Sequence, residues 1–268
     1  MKRKAAVAGY FYPADPDELR RMISGMVDPK ARKERAVALV SPHAGFVYSG
    51  PVAGAVFSSV VLPQTFVFLG PSHRPIRPTF ALMKDGEWET PLGKIRVDPD
   101  LAERILSSSL VIEVDASAHA DEHSLEVQVP FVQYFQPQFA MVPITVSHRA
   151  SFEDLTDLGE AVATGIQAIN KDALIVASTD MSHYVSREEA KELDFLAIEK
   201  VLNLDPKGLY DIVRKKDISM CGFQPTTAAL VAARALGAKK AELIKYATSG
   251  DRTGDFRKVV AYAGLRIT

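Results

Sequence analysis

Short runs of apolar residues alternate along the chain with longer stretches in which apolar residues recur at the helical period. Several of the short runs are apolar at successive positions, which is typical of strands covered by helices on both faces. The alternation therefore predicts an α/β fold with a central, mostly buried β-sheet flanked by helices. The predicted strands lie at 36–40, 66–69, 139–146, 174–177, 243–246 and 259–267.

The helical stretches carry recognisable start signals. Pro51, Pro99 and Pro225 fall in predicted first turns, where a proline loses no hydrogen bond that the helix needs. Ser49 and Asp98 lie near the corresponding N-caps. The predicted helices lie at 16–27, 51–59, 99–108, 123–135, 152–169, 187–202, 207–215 and 225–236.

The segment 84–93 contains the only tryptophan, Trp88, among residues that favour turns. This composition predicts a hairpin or loop near the sheet edge, and both a surface turn and the wall of a pocket fit it. No Gly/Ser-rich linker and no internal repeat divides the chain. Residues 1–268 are therefore expected to form one domain.

Composition narrows the function classes. The 268 residues are 47% hydrophobic and 24% charged, as in ordinary globular proteins. A formal net charge of −1 provides no overall positive field to attract a nucleic acid or an anionic membrane. One cysteine cannot form an intramolecular disulfide, and no stretch has the pattern of a signal peptide or a membrane-spanning helix. We expect a cytoplasmic protein without nucleic-acid or membrane partners.

Three histidines follow predicted strands. His43 comes shortly after the strand at 36–40, His73 after the strand at 66–69, and His183 after the strand at 174–177. In an open α/β sheet, loops at the carboxyl ends of the strands form the ligand site. A single loop histidine is most often bonded to a backbone carbonyl, but three in equivalent positions favour a shared site.

Cys221 stands in a Cys-Gly turn that leads into an apolar helix. The positive end of a helix dipole would lower the pKa of such a thiol and favour the thiolate, which binds metals or attacks electrophiles. A buried, inert cysteine is the alternative interpretation.

Two histidines, His119 and His123, stand four residues apart among acidic residues. This spacing permits zinc binding on a helix, but the glutamate is displaced from its place in the zinc-protease motif, His-Glu-x-x-His. A helix start that lines a pocket explains the segment equally well. The chain also lacks a Walker phosphate loop, a dinucleotide Gly-x-Gly-x-x-Gly motif and a Gly-x-Ser-x-Gly nucleophile elbow.

Taken in order, these motifs resemble the Memo family over nearly the whole chain. The motifs are Pro42-His43-Ala44-Gly45, Gly70-Pro71-Ser72-His73, Asp121-Glu122-His123-Ser124-Leu125-Glu126, Ser178-Thr179-Asp180-Met181-Ser182-His183 and Cys221-Gly222. The resemblance implies the fold of the class III non-haem-iron extradiol dioxygenases. In those enzymes two histidines and a glutamate hold the iron.

The resemblance also implies roles for individual residues. His43 and His73 match the metal-binding histidines, and Cys221 matches the position of the dioxygenase glutamate. His183 matches the acid/base histidine, and Asp180 is expected to assist it. The residues expected to line the same pocket are His123, Glu122 and Trp88.

The expected cofactor is iron as Fe²⁺, with zinc and copper as alternatives, because a thiolate is a softer ligand than a carboxylate. The same replacement of glutamate by cysteine argues against ring cleavage. The sequence thus favours an iron-dependent redox enzyme. The alternatives are a non-catalytic protein that binds a peptide or small ligand, and a zinc hydrolase. The resemblance also implies a radical-SAM partner protein.

Overall fold

The structure is a computed structural model that describes residues 1–169 and 172–268. Its strands are β1 (Lys2–Arg3), β2 (Ala38–Ser41), β3 (Thr65–Pro71), β4 (Phe80–Leu82), β5 (Glu87–Thr90), β6 (Gly93–Val97), β7 (Ile112–Val114), β8 (Ala140–Val146), β9 (Ala173–Ser178), β10 (His183–Val185), β11 (Ala241–Thr248) and β12 (Val259–Ile267). Its α-helices are α1 (Pro16–Ser24), α2 (Phe46–Ser58), α3 (Pro99–Ser107), α4 (Val129–Phe135), α5 (Phe152–Ile169), α6 (Arg187–Leu202), α7 (Pro206–Lys215), α8 (Phe223–Ala235) and α9 (Gly250–Thr253). Short 3-10 helices span Ser117–His119 and Glu126–Gln128.

The strands form one mixed sheet in the order β1-β5-β6-β8-β3-β9-β2-β12-β10. Strand β11 pairs with β12, and β4 pairs with both β7 and β8. The four central strands β8, β3, β9 and β2 are parallel. Ser41 at the end of β2 pairs with Ser178 at the end of β9, so these two strands end together.

Two hydrophobic layers cover the sheet, one on each face. Consecutive strand residues point to opposite faces, so Val40 and Val67 belong to one layer while Leu39 and Phe66 belong to the other. Helices α3, α5 and α8 contribute to the first layer, and α1, α2 and α4 to the second. This double coverage explains the continuous apolar runs and confirms the predicted α/β fold with helices flanking a buried sheet.

The start of α2 differs from the prediction. The helix begins at Phe46, so Pro51 lies inside it and Ser49 is not its N-cap. The amide of Phe46 donates to the carbonyl of Phe11 at 2.8 Å, and the Ser49 hydroxyl donates to the Ala44 carbonyl at 2.8 Å. The first contact ties the helix start to the N-terminal loop and the second ties the first turn to the preceding residue Ala44, and together they outweigh the hydrogen bond that the proline cannot make.

Other differences concern short elements. Residues 123–135 were predicted as one helix, but α4 begins only at Val129, after the 3-10 helix Glu126–Gln128. Strands of two or three residues, such as β4, β7 and β10, carry too little periodicity to be predicted. The Trp88 segment forms the β5–β6 hairpin near one end of the sheet, as the turn residues indicated.

Candidate functional site

Three polar side chains each lie two residues after the end of a strand, and the three strands are adjacent in the sheet. His43 lies two residues beyond the end of β2, His73 two residues beyond β3, and Asp180 two residues beyond β9. Strands β3, β9 and β2 are neighbours and run parallel, so their carboxyl ends share one edge of the sheet. The rings of His43 and His73 accordingly lie 5.2 Å apart between centroids.

A third histidine joins this pair from outside the strands. His123 lies between the two 3-10 helices, and its ring stacks on that of His73 at 4.3 Å. One ring nitrogen from each of His43, His73 and His123 lies within 4.8 Å of the others, and we call these three residues the histidine cluster. His119 is not part of the cluster: it is buried elsewhere, with its Nε2 3.1 Å from the carbonyl of Ala81.

The ring of His43 is held by a buried hydroxyl. Its Nδ1 lies 3.0 Å from Ser178 Oγ, which donates its own hydrogen to the carbonyl of Ser124 at 2.6 Å. A hydroxyl has one hydrogen, so Ser178 accepts from His43, and Nδ1 of His43 carries the proton. Nε2 of His43 is left as the lone-pair nitrogen. Burial, and then the charges of His123 and His73, lower the pKa of His43 well below its ordinary value, so the ring is neutral.

A buried carboxylate holds His73 in a similar way. Glu122 Oε1 lies 2.9 Å from Nδ1 of His73, and Oε2 accepts from the backbone amide of His73 at 2.7 Å. Burial by itself would raise the pKa of Glu122. The hydrogen bonds and charge of His73, together with the amide of Ser124, outweigh burial and lower that pKa to about 2.

Cys221 lies beside His43. Its Sγ is 3.2 Å from His43 Nε2, and the amide of Asp180 donates to the same sulfur at 3.3 Å. Gly222 permits this approach, because a Cβ at that position would lie 2.3 Å from the carbonyl oxygen of Ser178. The loop carrying Cys221 is thereby pressed against the end of β9.

The expectation of a lowered thiol pKa is wrong. Burial of the sulfur, and next the negative charge of Asp180, raise the pKa of Cys221 far above its ordinary value. The residue precedes α8, but desolvation and a nearby carboxylate outweigh the helix dipole. The thiol is therefore protonated and donates to His43 Nε2.

Asp180 anchors the loop that carries His43. Its Oδ1 accepts from the amides of His43 at 2.8 Å and Ala44 at 3.3 Å. Burial raises the pKa of Asp180 to about 6, although those two hydrogen bonds and the charge of His183 act in the opposite direction. A carboxylate with this pKa changes its charge close to neutral pH.

His183 is partly exposed at the start of β10. Its Nδ1 lies 2.8 Å from the carbonyl of Ser219, which can only accept, so Nδ1 donates and Nε2 keeps its lone pair. His183 lies three residues after Asp180, and its backbone amide donates to the hydroxyl of Ser219, two residues before Cys221, at 2.8 Å. The next residue, Tyr184, has φ 61°, a region that L-residues rarely adopt, and it is 74% exposed.

Trp88 lies outside the histidine cluster. It is buried, and its Nε1 donates to Met83 Sδ at 3.2 Å. The guanidinium of Arg3 packs over its ring at 4.1 Å. Trp88 therefore contacts the site indirectly: Arg3 Nη2 donates to the carbonyl of Glu122 at 2.7 Å, and the Trp88 ring lies 5.8 Å from that of His119, four residues before His123.

A family model matches nearly the whole chain. The model of the family described as "Memo-like protein" matches residues 3–266. The chain belongs to the Memo family.

Relatives within the Memo family are close over their full length. A MEMO1 family protein of Methanothermobacter thermautotrophicus is 40% identical, with 99% of this chain and 100% of the relative covered. A MEMO1 family protein of Pyrobaculum arsenaticum is 42% identical over 98% of each chain. The fold is also similar to that of an uncharacterised Escherichia coli K12 protein of known structure, which is 15% identical and has a TM-score of 0.55, with 85% of this chain and 99% of that chain covered.

The positions that the Memo resemblance singles out include the histidine cluster, Cys221, Asp180 and His183. Ser178 begins one of the motifs that carry the resemblance, but no role was expected for it, and Gln128 lies outside those motifs. Ser178 bonds the ring of His43, and Gln128 bonds Ser178. Gln128 Nε2 donates to Ser178 Oγ at 2.8 Å and to the carbonyl of Pro42 at 2.9 Å. Serine and glutamine are common in strands and helices, so their types alone carry no signal.

None of the helices in the described part of the chain is long and apolar enough to cross a membrane.

Proposed function

We propose that this Memo family member is a metal-binding oxidoreductase whose site holds iron through His43, His73 and Cys221. One observation carries the proposal. The Nδ1 atoms of His43 and His73 are both engaged by fixed partners, Ser178 and Glu122, at 3.0 and 2.9 Å. Both rings therefore keep Nε2 as the lone-pair nitrogen, which is how metal-binding histidines are commonly oriented.

The donor set fits a transition metal. Neutral imidazoles and a thiolate suit iron, zinc and copper(I), whereas magnesium and calcium prefer oxygen ligands. The thiol of Cys221 donates a hydrogen bond to the lone pair of His43 Nε2. A metal that binds this nitrogen must therefore replace the hydrogen bond and bind the sulfur as a thiolate. His123 offers another nitrogen to the same space, and is a candidate for the third or fourth ligand.

Iron, when bound, would supply electron transfer and coordination positions for oxygen or a substrate. In the proposal, the chain supplies proton transfer. His183 donates from Nδ1 to the Ser219 carbonyl, which leaves the lone pair of the neutral ring on Nε2, and this is the arrangement of a general base. Asp180, three residues before His183, fixes the backbone of His43 through Oδ1.

A second candidate function, ligand binding without turnover, rests on the exposed aromatic side chains beside the site. Tyr184 follows His183 and is 74% exposed, while Tyr48 in the first turn of α2 is 42% exposed. Phe11 packs on His123 at 4.6 Å, and its neighbour Tyr10 is 87% exposed. Exposed aromatic residues are frequent in surfaces that bind peptides and small ligands. The radical-SAM partner stays a prediction.

The test is the metal content of protein purified without added metal or chelator, measured by elemental analysis and by anomalous scattering from crystals. We expect iron bound near one per chain, an anomalous peak at the histidine cluster, and loss of the metal in His43→Ala. His148→Ala is the matched control, because His148 is exposed and lies outside the cluster. Metal that survives His43→Ala and His73→Ala would refute the proposed site, and stoichiometric zinc would refute the redox function. Binding of iron without oxygen consumption or substrate turnover would favour the second candidate.

A further inference from the structure

We infer that Glu122 is a positioning residue that fixes His73 as the Nδ1–H tautomer and so presents the Nε2 lone pair of His73 to the rest of the histidine cluster. The tautomer is a property of the protein without metal. Its consequence for metal affinity rests on the function proposed above.

Glu122 contacts His73 through both of its carboxylate oxygens. One carboxylate oxygen, Oε2, accepts from the backbone amide of His73 at 2.7 Å, and the other, Oε1, lies 2.9 Å from its Nδ1. The two bonds hold both the main chain and the ring of one residue. The ring is thereby prevented from rotating about χ1 and χ2, even though the His73 side chain is 36% exposed.

The direction of the ring hydrogen bond follows from the charge of the carboxylate. Glu122 is 3% exposed, and each of its oxygens accepts a backbone N–H, Oε2 from His73 and Oε1 from Ser124, which is the environment that favours the ionised carboxylate. An ionised carboxylate has no hydrogen to donate. Nδ1 of His73 must therefore carry the hydrogen, and in the neutral ring Nε2 must carry the lone pair.

Glu122 is not available as a ligand itself. Oε1 also accepts from the amide of Ser124 at 2.9 Å and lies 3.5 Å from Nδ1 of His123. Oε2 is occupied by the His73 amide. Both oxygens are thus engaged by N–H groups or histidine rings of the loops that form the site.

Hydrogen bonds also hold the segment that carries the Glu122 carboxylate. The guanidinium of Arg3 donates to the carbonyl of Glu122 at 2.7 Å, and the hydroxyl of Ser124 donates to the carbonyl of Pro71, the last residue of β3, at 2.9 Å. Arg3 is itself held by the buried carboxylate of Glu126 at 2.5 Å. The position of the carboxylate is therefore determined by the fold and does not depend on a bound metal.

Glu122→Gln tests this role with little change of shape. The oxygen of the glutamine side chain can still accept an N–H at one of the two carboxylate positions. Its amide nitrogen then takes the other position, where it faces a group that donated to the glutamate. When the nitrogen faces Nδ1 of His73, the amide donates, and the hydrogen of the neutral ring moves to Nε2. A histidine with hydrogen on Nε2 has no lone pair there for a metal.

The direct experiment is ¹⁵N NMR of the imidazoles in metal-free wild-type protein, with His73 assigned by comparison with His73→Ala. We expect the neutral His73 ring to carry hydrogen on Nδ1, and Glu122→Gln to shift its population towards Nε2–H. His73 found mainly as Nε2–H, or as the same mixture in wild type and Glu122→Gln, would overturn the inference. The wild-type measurement needs no variant of Glu122, so misfolding of Glu122→Gln leaves the test intact.

The second readout is Zn²⁺ affinity, measured by competition with a chelator. We expect Glu122→Gln to weaken Zn²⁺ binding by roughly 10- to 100-fold, as is typical for loss of a partner that orients a metal-binding histidine. Asp121→Asn is the matched control: it removes the adjacent carboxylate, which is exposed and pairs with Arg74 at 2.9 Å. Equal Zn²⁺ affinity in both variants would overturn the coupling to metal. A wild-type protein with the Nδ1–H tautomer but no binding of Zn²⁺ or iron would refute the proposed function and leave the role of Glu122 in place.

Discussion

The pH dependence of metal binding distinguishes a site that contains Cys221 from a site made only of histidines. The structure allows both, since His123 belongs to the histidine cluster and Cys221 is bonded to His43. The perturbation is Cys221→Ser, which keeps the shape of the side chain and removes the thiolate. The two sites release different numbers of protons when a metal binds, because the ligands begin in different protonation states.

The expected magnitude follows from the pKa shifts. Burial raises the pKa of the Cys221 thiol, so between pH 7.0 and 8.5 a metal that binds sulfur must release one proton. Burial lowers the pKa of His43 well below its ordinary value and that of His123 to about 4, so these rings are already neutral and release none. One released proton makes affinity rise tenfold per pH unit, which is about 30-fold or roughly 2 kcal/mol over this interval.

The assay is a chelator competition with Zn²⁺ at several pH values, under reducing conditions, for wild type and Cys221→Ser. We expect the logarithm of the affinity to rise about one unit more per pH unit in wild type than in the variant. The difference between the two slopes isolates the thiol, because every other titrating group is common to both proteins. Parallel slopes would show that sulfur is not a ligand, and would favour the site formed by His43, His73 and His123.

Three further outcomes are expected. Arg3→Ala leaves the buried carboxylate of Glu126 without its guanidinium, so it should lower the free energy of unfolding by about 3–5 kcal/mol in urea titrations. The exposed control Lys2→Ala should change the free energy of unfolding little, and equal effects of the two substitutions would contradict the argument. His183→Ala should keep the metal content and Tm of the wild type but lower any oxygen-dependent turnover by about 10²–10⁴-fold, and loss of metal instead would make His183 a ligand. Tyr184→Gly should raise the free energy of unfolding by about 0.5–1 kcal/mol. The backbone at φ 61° costs an L-residue about 1–2 kcal/mol, and the extra freedom of glycine in the unfolded chain offsets only part of the gain from removing that strain. A decrease in the free energy of unfolding would show that the tyrosine ring contributes more than the strain costs.

Much of the architecture is determined locally by the sequence. Strands β3, β8, β9 and β12 are buried on both faces, so their apolar runs stand out, and the helices α5 and α6 begin and end at the predicted residues. The strand-end positions of His43 and His73 also predict that they lie at one edge of the sheet, because parallel strands bring their carboxyl ends to the same edge. Each of these inferences depends on residues close together in the chain.

Only the tertiary structure decided the protonation states and the composition of the site. His123 reaches the cluster from a loop whose path depends on Arg3 and Glu126, residues 123 positions apart. The thiol of Cys221 is protonated because burial and Asp180 act on it, and neither is visible in the Cys-Gly turn that suggested a thiolate. A pattern in the sequence reports the intrinsic preferences of nearby residues. Desolvation and Coulomb interactions instead depend on distances in space, so the pKa values and ligand geometry of the site are fixed only when the chain has folded.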